Sequence, residues 1–237
     1  MKNITTPVIR GFLSFLLVLM IGCPGGLSGQ NLMGTTGLVT VPTARMQEDG
    51  SLSFGATYFD RKYQDYSKRQ YDVGAVYSTI NFLPFLEISL RVNRMLNYPS
   101  DKNYTVDRVP MVRLRLLKEE KVLPAVVIGV HDFFAAFGGE QAKHYNATYL
   151  VLSKKFSALD FHLGYAPVLM EAGNHQLDGV FYGVDYAPLK WINLMGEYDT
   201  RYFNAGARVM IGKFFSINTG LINGDSFAGG VNFRIRL

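Results

Sequence analysis

The sequence predicts an all-β fold: a transmembrane antiparallel up-and-down β-barrel of about 12 strands, preceded by a signal peptide. Three observations predict it. The last residues, 227–237, alternate between apolar side chains and small or polar ones, which is typical of a strand with one apolar face. Similar segments recur through the chain from residue 51 onward. The connections between these segments alternate between long and short, as they do in outer-membrane barrels.

The strand-like segments differ in how cleanly they alternate. Segment 86–92 is the clearest, with aliphatic residues on one face and Glu87, Ser89 and Arg91 on the other. We expect the apolar faces to point to lipid, including the face of the second segment that carries Tyr77. The predicted segments are 51–59, 71–79, 86–92, 109–116, 125–133, 145–153, 159–165, 180–186, 192–198, 203–211, 215–221 and 227–237.

The connections favour a membrane barrel over a soluble β-sandwich. A sandwich gives no reason for long and short connections to alternate along the chain, whereas a barrel has long loops outside and short periplasmic turns. An even number of strands also returns the C-terminus to the periplasmic side. The long connections are predicted at 61–69, 97–107, 135–143 and 168–177.

The N-terminus predicts secretion. Lys2 and Arg10 precede an apolar run over 11–22, which is shorter than the roughly 20 residues of a spanning helix and is typical of a signal peptide. Two cleavage sites stay open. Residues 19–23 resemble a lipobox that would make Cys23 the lipidated first residue, and cleavage after Ser28 would follow small residues. The chain is therefore divided into a signal peptide (1–22), a lead or plug segment (23–49) and a barrel (50–237).

The composition is consistent with a membrane barrel. The chain has 14 Tyr, 17 Phe and 24 Gly, and it contains no long apolar helix. The formal net charge is +5, but the basic residues are dispersed, so we predict no binding of nucleic acid. Cys23 is the single cysteine, which excludes an intrachain disulfide and a cysteine metal site. We expect no metal and no cofactor.

Residues 31–49 show no clear alternation, and Pro42 argues against a central strand. Three positions stay open for this segment: a leading strand, a plug inside the lumen, or a periplasmic lead.

The same segment carries a motif. Residues 34–45 read Gly-Thr-Thr-Gly-Leu-Val-Thr-Val-Pro-Thr-Ala-Arg, and Asp-Gly follows at 49–50. This resembles the opening of the YjbH family, outer-membrane proteins associated with bacterial exopolysaccharide production, whose members are longer and have more than one barrel-like region. The resemblance implies a place in polysaccharide export or surface attachment. The matching positions are Gly37, Leu38, Pro42, Thr43, Ala44, Arg45, Asp49 and Gly50.

Ionisable residues are expected to point into the lumen, because Arg or Lys on the lipid face near the midplane costs roughly 2–4 kcal/mol. Two interpretations stay open: a lumen filled by salt bridges, or an arginine track that binds an anion such as an acidic polysaccharide. The candidate ligand-binding residues are Arg91, Arg113, Arg115, Arg208, Arg234 and Arg236. The other inward candidates are Glu87, His131, Asp160, His162, Asp185 and Glu197.

Catalysis is not expected, and no catalytic residue is assigned. None of the four histidines has a serine two residues away, as barrel phospholipases require, and the chain has no Gly-x-Ser-x-Gly or His-Glu-x-x-His motif. A barrel of this size, once filled by side chains, is also expected to be too narrow for a folded or branched polymer. We therefore favour an accessory role beside a separate export channel. A structural or adhesive barrel is the main alternative.

The expected location is the bacterial outer membrane. The expected partners are outer-membrane lipid and the barrel-assembly machinery, and the resemblance adds an anionic polysaccharide and a polysaccharide export channel. The terminal strand is expected to act as the insertion signal. The residues assigned to that signal are Gly230, Phe233, Ile235 and Leu237.

Overall fold

The structure is a computed structural model that describes residues 29–61, 65–66, 69–96, 106–133, 145–169 and 177–237. The predicted signal peptide and the lipidation candidate Cys23 lie outside these residues. In the described ranges there is no helix long and apolar enough to cross a membrane. Twelve strands form one closed antiparallel barrel, which confirms the predicted fold.

Each barrel strand pairs with the next barrel strand in the chain, and β1 closes the ring against β14. Two short strands, β2 and β3, form a separate hairpin in the connection between β1 and β4. The strands are β1 (Ser51–Phe59), β2 (Asp65–Tyr66), β3 (Arg69–Gln70), β4 (Val73–Asn81), β5 (Leu86–Met95), β6 (Val106–Leu117), β7 (Ala125–His131), β8 (Ala147–Phe156), β9 (Leu159–Ala166), β10 (Gly179–Leu189), β11 (Ile192–Tyr198), β12 (Phe203–Ile211), β13 (Phe215–Ile222) and β14 (Ser226–Arg236).

The two ends of the barrel differ. At the short-turn end β1 begins, β14 ends, and the turns at 82–85, 157–158 and 212–214 connect neighbouring strands. Such turns need unusual backbone angles, and Ser157 and Gly212 have φ values of 57° and 66°. At the opposite, long-loop end lie the connections between β5 and β6, β7 and β8, and β9 and β10.

The outer surface is apolar. Val76, Leu163 and Val231 lie on different strands and are each more than half exposed. Exposed aromatic rings lie near both rims: Phe82, Phe85, Trp191 and Phe214 at the short-turn end, and Tyr58, Tyr165, Phe203 and Phe227 at the long-loop end. A closed barrel with an apolar outer face and aromatic girdles is the arrangement of bacterial outer-membrane proteins, so the protein is an outer-membrane barrel.

The lumen is less polar than predicted. On β4, Val73 and Tyr77 point inward and are at most 4% exposed, whereas Val76 between them points outward. The prediction that the face with Tyr77 meets lipid is therefore wrong. The physical reason is that the lumen contains apolar side chains of its own, from Leu32 and Val39, against which inward apolar residues pack.

Candidate functional site

Residues 29–49 are called the plug below; residues 29–44 lie buried inside the barrel lumen, and Glu48 and Asp49 are exposed at its short-turn end. Leu32, Met33, Leu38 and Val41 are at most 1% exposed although none belongs to a barrel strand. The segment folds back on itself through two isolated bridges, Gln30↔Thr36 and Gly37↔Pro42. Of the three positions considered for residues 31–49, the structure describes the one inside the lumen.

The Asn31 side chain fixes the first turn of the plug. Its Oδ1 accepts hydrogen bonds from the amides of Met33 (2.9 Å) and Thr35 (3.0 Å). Its Nδ2 donates to the carbonyl of Thr40 at 2.9 Å, which joins the two arms of the plug. Asn31 thereby replaces ladder hydrogen bonds that this irregular segment lacks.

Buried backbone amides and carbonyls need partners, and most plug residues find them in side chains of the barrel wall. Glu197 on β11 is the main acceptor. Its carboxylate accepts from the amides of Val39 (2.9 Å), Thr40 (2.9 Å) and Val41 (3.3 Å), and from the Thr40 hydroxyl (2.5 Å). One charged group thus satisfies three consecutive amides at the centre of the plug.

A second carboxylate, Glu87 on β5, holds the other arm of the plug. It accepts from the amide and the hydroxyl of Thr36, at 3.0 Å and 2.6 Å. Glu87 also pairs with Arg113 at 2.6 Å, and neither side chain is exposed. Arg113 in turn donates to the carbonyls of Thr43 and Arg45. The pair is therefore a bridge between the wall and two parts of the plug.

Arg208 on β12 binds the carbonyls of the plug, whereas Glu197 binds its amides. Its Nη2 donates to the carbonyls of Gln30 (3.1 Å), Gly37 (2.7 Å) and Leu38 (3.0 Å). Its Nε donates to Asn218 on β13 at 3.0 Å, which fixes the guanidinium. Lumen carboxylates thus bind plug amides, and lumen arginines bind plug carbonyls.

Glycines of the wall make room for the apolar side chains of the plug. A methyl group on Gly183 would lie 2.4 Å from Leu38, and one on Gly206 or Gly220 would lie 2.6 or 2.5 Å from Val39. No side chain fits at these distances, so the plug packs in direct contact with β10, β12 and β13.

The plug leaves the lumen through an ionic contact at the short-turn end. Arg45 donates two hydrogen bonds of 2.7 Å to Asp160 and one of 2.5 Å to Glu119 in the turn after β6. Burial raises the pKa of the Glu119 carboxyl, but the Lys155 amide and the Arg45 guanidinium outweigh burial and hold the pKa below its usual value. Glu119 is therefore an anion that fixes the last part of the plug.

The six candidate arginines have different surroundings. Arg113 and Arg208 bind the plug as described, and Arg91 is also buried, with its guanidinium 4.7 Å from the ring of Tyr145 and in contact with the Met33 sulfur. Arg234 donates to Gln47, and Arg236 forms an exposed ion pair with Glu48 at 2.7 Å. Arg115 has no carboxylate partner among the described residues.

The remaining acidic and histidine candidates lie on inward positions. Asp185 accepts two hydrogen bonds from Asn193 on the neighbouring strand, at 2.7 Å and 2.8 Å. His131 is buried and packs edge-on against Tyr149, with ring centroids 5.1 Å apart. These contacts join wall residues to each other and strengthen the barrel.

The cross-strand pair Ser153 and His162 was missed by the sequence reasoning. Its members are direct partners on β8 and β9, with Ser153 Oγ 2.7 Å from His162 Nδ1. Ser153 Oγ also accepts from the Ala44 amide at 2.7 Å, so the pair is a further anchor of the plug. The register of the tight β8–β9 hairpin, counted outward from its turn, would have predicted this pair.

The motif positions form the plug and its junction with the barrel. Gly37 lies against the Val41 carbonyl, where a methyl group would come within 2.3 Å, and Pro42 forms the bridge to it. Asp49 is exposed, and Gly50 has a φ of 74°. The amide of Gly50 donates to Asn81 and its carbonyl accepts from Leu237, at 2.9 Å and 2.8 Å. The junction thus lies at the seam that closes the barrel.

The residues predicted to form the insertion signal complete this seam. Phe233 pairs with Phe54 on β1 and packs against Phe215, with ring centroids 4.9 Å apart. Ile235 pairs with Leu52, and Gly230 faces Leu32 of the plug. The terminal strand therefore contacts β1, β13 and the plug at once.

A cavity of about 20 Å³ lies between the plug and the wall near Arg208 and His162, enough for about one water molecule. No group of three or more metal-ligating side chains occurs among the described residues. Chemically, the arrangement satisfies the plug backbone and closes the lumen at this level.

Comparison with known proteins gives a matching family model and a relative of known sequence. The YjbH family model, described as "Exopolysaccharide biosynthesis protein YbjH", matches residues 29–235. A relative from Escherichia coli (strain K12), named "Uncharacterized lipoprotein YjbH", is 34% identical over 144 residues, which is 57% of this chain but 18% of that protein. The chain thus matches a small part of the length of its relative.

Solved outer-membrane barrels are similar in outline. The KdgM porin has a TM-score of 0.48 and 12% identity, over 77% of this chain and 98% of that chain. The COG4313 outer membrane channel from Pseudomonas putida F1 has a TM-score of 0.42 and 10% identity, over 84% of this chain and 100% of that chain. Both TM-scores are below 0.5. The family model, in contrast, spans the plug and the barrel together, and this protein belongs to the YjbH family.

Proposed function

We propose that this barrel is an accessory component of exopolysaccharide secretion or surface attachment, working beside a separate export channel. The family description supports the link to exopolysaccharide. The observation that carries the accessory role is the occupied lumen, in which residues 29–44 are buried and Arg113 and Arg208 are already bound to plug carbonyls. Because the described contacts occupy the lumen at this level, we place the binding of a polymer outside it.

We also propose that the barrel is not an enzyme. The Ser153–His162 pair has the residue types of a hydrolase dyad, but both side chains are at most 4% exposed. The serine oxygen is also engaged by the Ala44 amide, at 2.7 Å. A nucleophile needs access to its substrate, which this position lacks.

A plug that is covalently held to the wall tests the accessory role. Ala44→Cys with Ser153→Cys puts thiols on two residues that are in contact, since the Ala44 amide donates to Ser153 Oγ at 2.7 Å, and the oxidising periplasm favours a disulfide between them. In the native host, gene deletion should lower surface polysaccharide. The wild-type gene and the double-cysteine gene should both restore it, with Ser153→Cys alone as the matched control.

Two outcomes would contradict the proposal. Failure of the oxidised double-cysteine protein, with recovery upon reduction, would mean that the plug must leave the lumen for function. Unchanged surface polysaccharide in the deletion strain would end the export role and leave a structural or adhesive barrel.

A further inference from the structure

A basic cleft opens at the short-turn end of the barrel. Its volume is about 460 Å³, and the end of the plug forms part of its wall. Two carboxylates, Glu119 and Glu120, line it together with six cations. The cations are Arg45, Arg115, Lys118, Lys121, Lys154 and Lys155. The cleft therefore has a clear excess of positive charge, although the protein as a whole is only mildly basic.

Two of the six cations are already engaged. Arg45 is bound by Asp160 and Glu119. Lys154 donates to the carbonyls of Glu120, Lys121 and Leu123 at 2.5, 2.9 and 3.3 Å. The other four, Arg115, Lys118, Lys121 and Lys155, have no carboxylate partner among the described residues. Arg113 and Arg45 repel the positive charge of Arg115 and Glu87 attracts it, so an anion in the cleft would add to the attraction.

The cleft is held in shape before any ligand binds. The contacts of Lys154 fix the turn between β6 and β7, which carries Lys118 and Lys121. The Lys155 amide donates to Glu119 at 2.9 Å, which ties the same turn to β8. A bulge after Arg115 shifts the register of β6 against β7 at this rim, and bulges redirect side chains at barrel rims. Such pre-organisation lowers the entropic cost of binding.

We propose that this cleft binds an acidic oligosaccharide through its carboxylate groups. Its volume lies within the range of about 300–1,000 Å³ that is typical of small-molecule sites, enough for a few sugar rings. Arg115 suits a carboxylate because a guanidinium can donate two parallel hydrogen bonds to it. The choice of a saccharide rests on the proposed function.

The position of the cleft favours a soluble anion over a lipid headgroup. Ala44 and Arg45 of the plug line it, so it opens towards the barrel axis at the mouth. The lipid-facing side of the same strand end carries Leu116 and Leu117, each about half exposed, which belong to the apolar outer surface. A ligand in the cleft therefore approaches from the aqueous side of the membrane.

Binding to the purified full chain in detergent micelles tests the proposal. The probes are a uronic-acid tetrasaccharide and its methyl ester, which has the same shape without the charge, followed by calorimetry. The test variant is Arg115→Gln with Lys155→Gln. The matched control is Lys190→Gln with Lys213→Gln, which removes the same charge from two other turns at the same end.

We expect saturable binding of the acid by the wild type, weak binding of the ester, and affinity at least about tenfold lower in the test variant, since each lost cation removes charge-assisted hydrogen bonds. The control should bind as the wild type does. Equal weakening in both variants, equal binding of the ester, or no binding to the wild type would overturn the proposal. Displacement of the acid by added phosphatidylglycerol would identify a lipid site instead and overturn it too.

The failure of this proposal is distinguishable from failure of the proposed function. If calorimetry detected no binding of the tetrasaccharide, the expected loss of surface polysaccharide in the deletion strain would be unaffected. Conversely, unchanged surface polysaccharide after deletion would end the proposed function even if the cleft bound the tetrasaccharide.

Discussion

Replacing Glu197 by Gln tests how the plug is held. One carboxylate oxygen accepts from the amides of Val39 and Val41, and the other from the amide and hydroxyl of Thr40. Glutamine offers one acceptor oxygen, and its amino group only donates. Whichever way the new amide is turned, at least one plug amide faces a donor and loses its acceptor.

The magnitude follows from the number of bonds. Asn204 Nδ2 also donates to this carboxylate at 3.0 Å, so it accepts five hydrogen bonds in all. A hydrogen bond to a charged group contributes roughly 1.5–3 kcal/mol, so losing two of the five costs at least about 3 kcal/mol. Since about 1.4 kcal/mol is a tenfold change in an equilibrium constant, local opening of the plug should become about a hundredfold more frequent. The barrel strands, whose ladder is unchanged, should keep their stability.

Amide hydrogen exchange measures this opening. The amides of Leu32 and Leu38 are useful reporters because they bond to carbonyls within the plug, at 2.9 Å and 3.0 Å, and make no bond to Glu197. Their protection should fall about a hundredfold in Glu197→Gln. Asp185→Asn makes the same charge change at a carboxylate bonded to the wall residue Asn193 and should leave protection unchanged. Wild-type protection in Glu197→Gln would refute the reasoning.

Three further predictions concern packing, pH and assembly. Gly220→Ala places a methyl 2.5 Å from Val39 and should expose the plug to protease, whereas Gly196→Ala meets nothing and should not; equal cleavage would contradict this. Glu119→Gln should lower the free energy of unfolding at neutral pH. Because the pKa of the native Glu119 carboxyl is depressed, the difference in unfolding free energy between wild type and variant should vanish as the pH falls well below 4.5. A difference that stays constant with pH would contradict a stabilising ion pair at Glu119. Deleting residues 233–237 should leave the protein in the periplasm, and normal recovery in outer-membrane fractions would disprove the insertion signal.

The strands could be predicted because every side chain that faces lipid must be apolar, which makes apolar residues alternate along each strand. Segments 51–59, 192–198 and 203–211 have the same bounds in the sequence and in the structure. The rule fails on β4, where Tyr77 is inward and Val76 is outward, because both faces carry apolar side chains. Alternation alone cannot tell lipid from an apolar plug.

The site could be predicted only in part. The inward positions of Glu87, Glu197 and Arg208 follow from alternation, but their partners are backbone groups of an irregular segment. No periodicity shows where such a segment lies, so neither the salt-bridge lumen nor the arginine track could be chosen from the sequence alone. Inward glycines such as Gly206 could have indicated the plug, because a glycine within a strand often marks a place where another segment approaches the backbone closely.

The central claim is that residues 29–49 close the lumen, and ionic conductance tests it most directly. In planar bilayers, the wild-type protein should show little conductance, because the plug is bound on opposite walls by Glu87 and Arg113 and by Glu197 and Arg208. A variant lacking residues 29–48 should insert and conduct, because a barrel of this strand number is wider than the eight-stranded barrels that side chains fill. Equal, steady conductance in the wild type and the deletion variant would contradict a closed lumen.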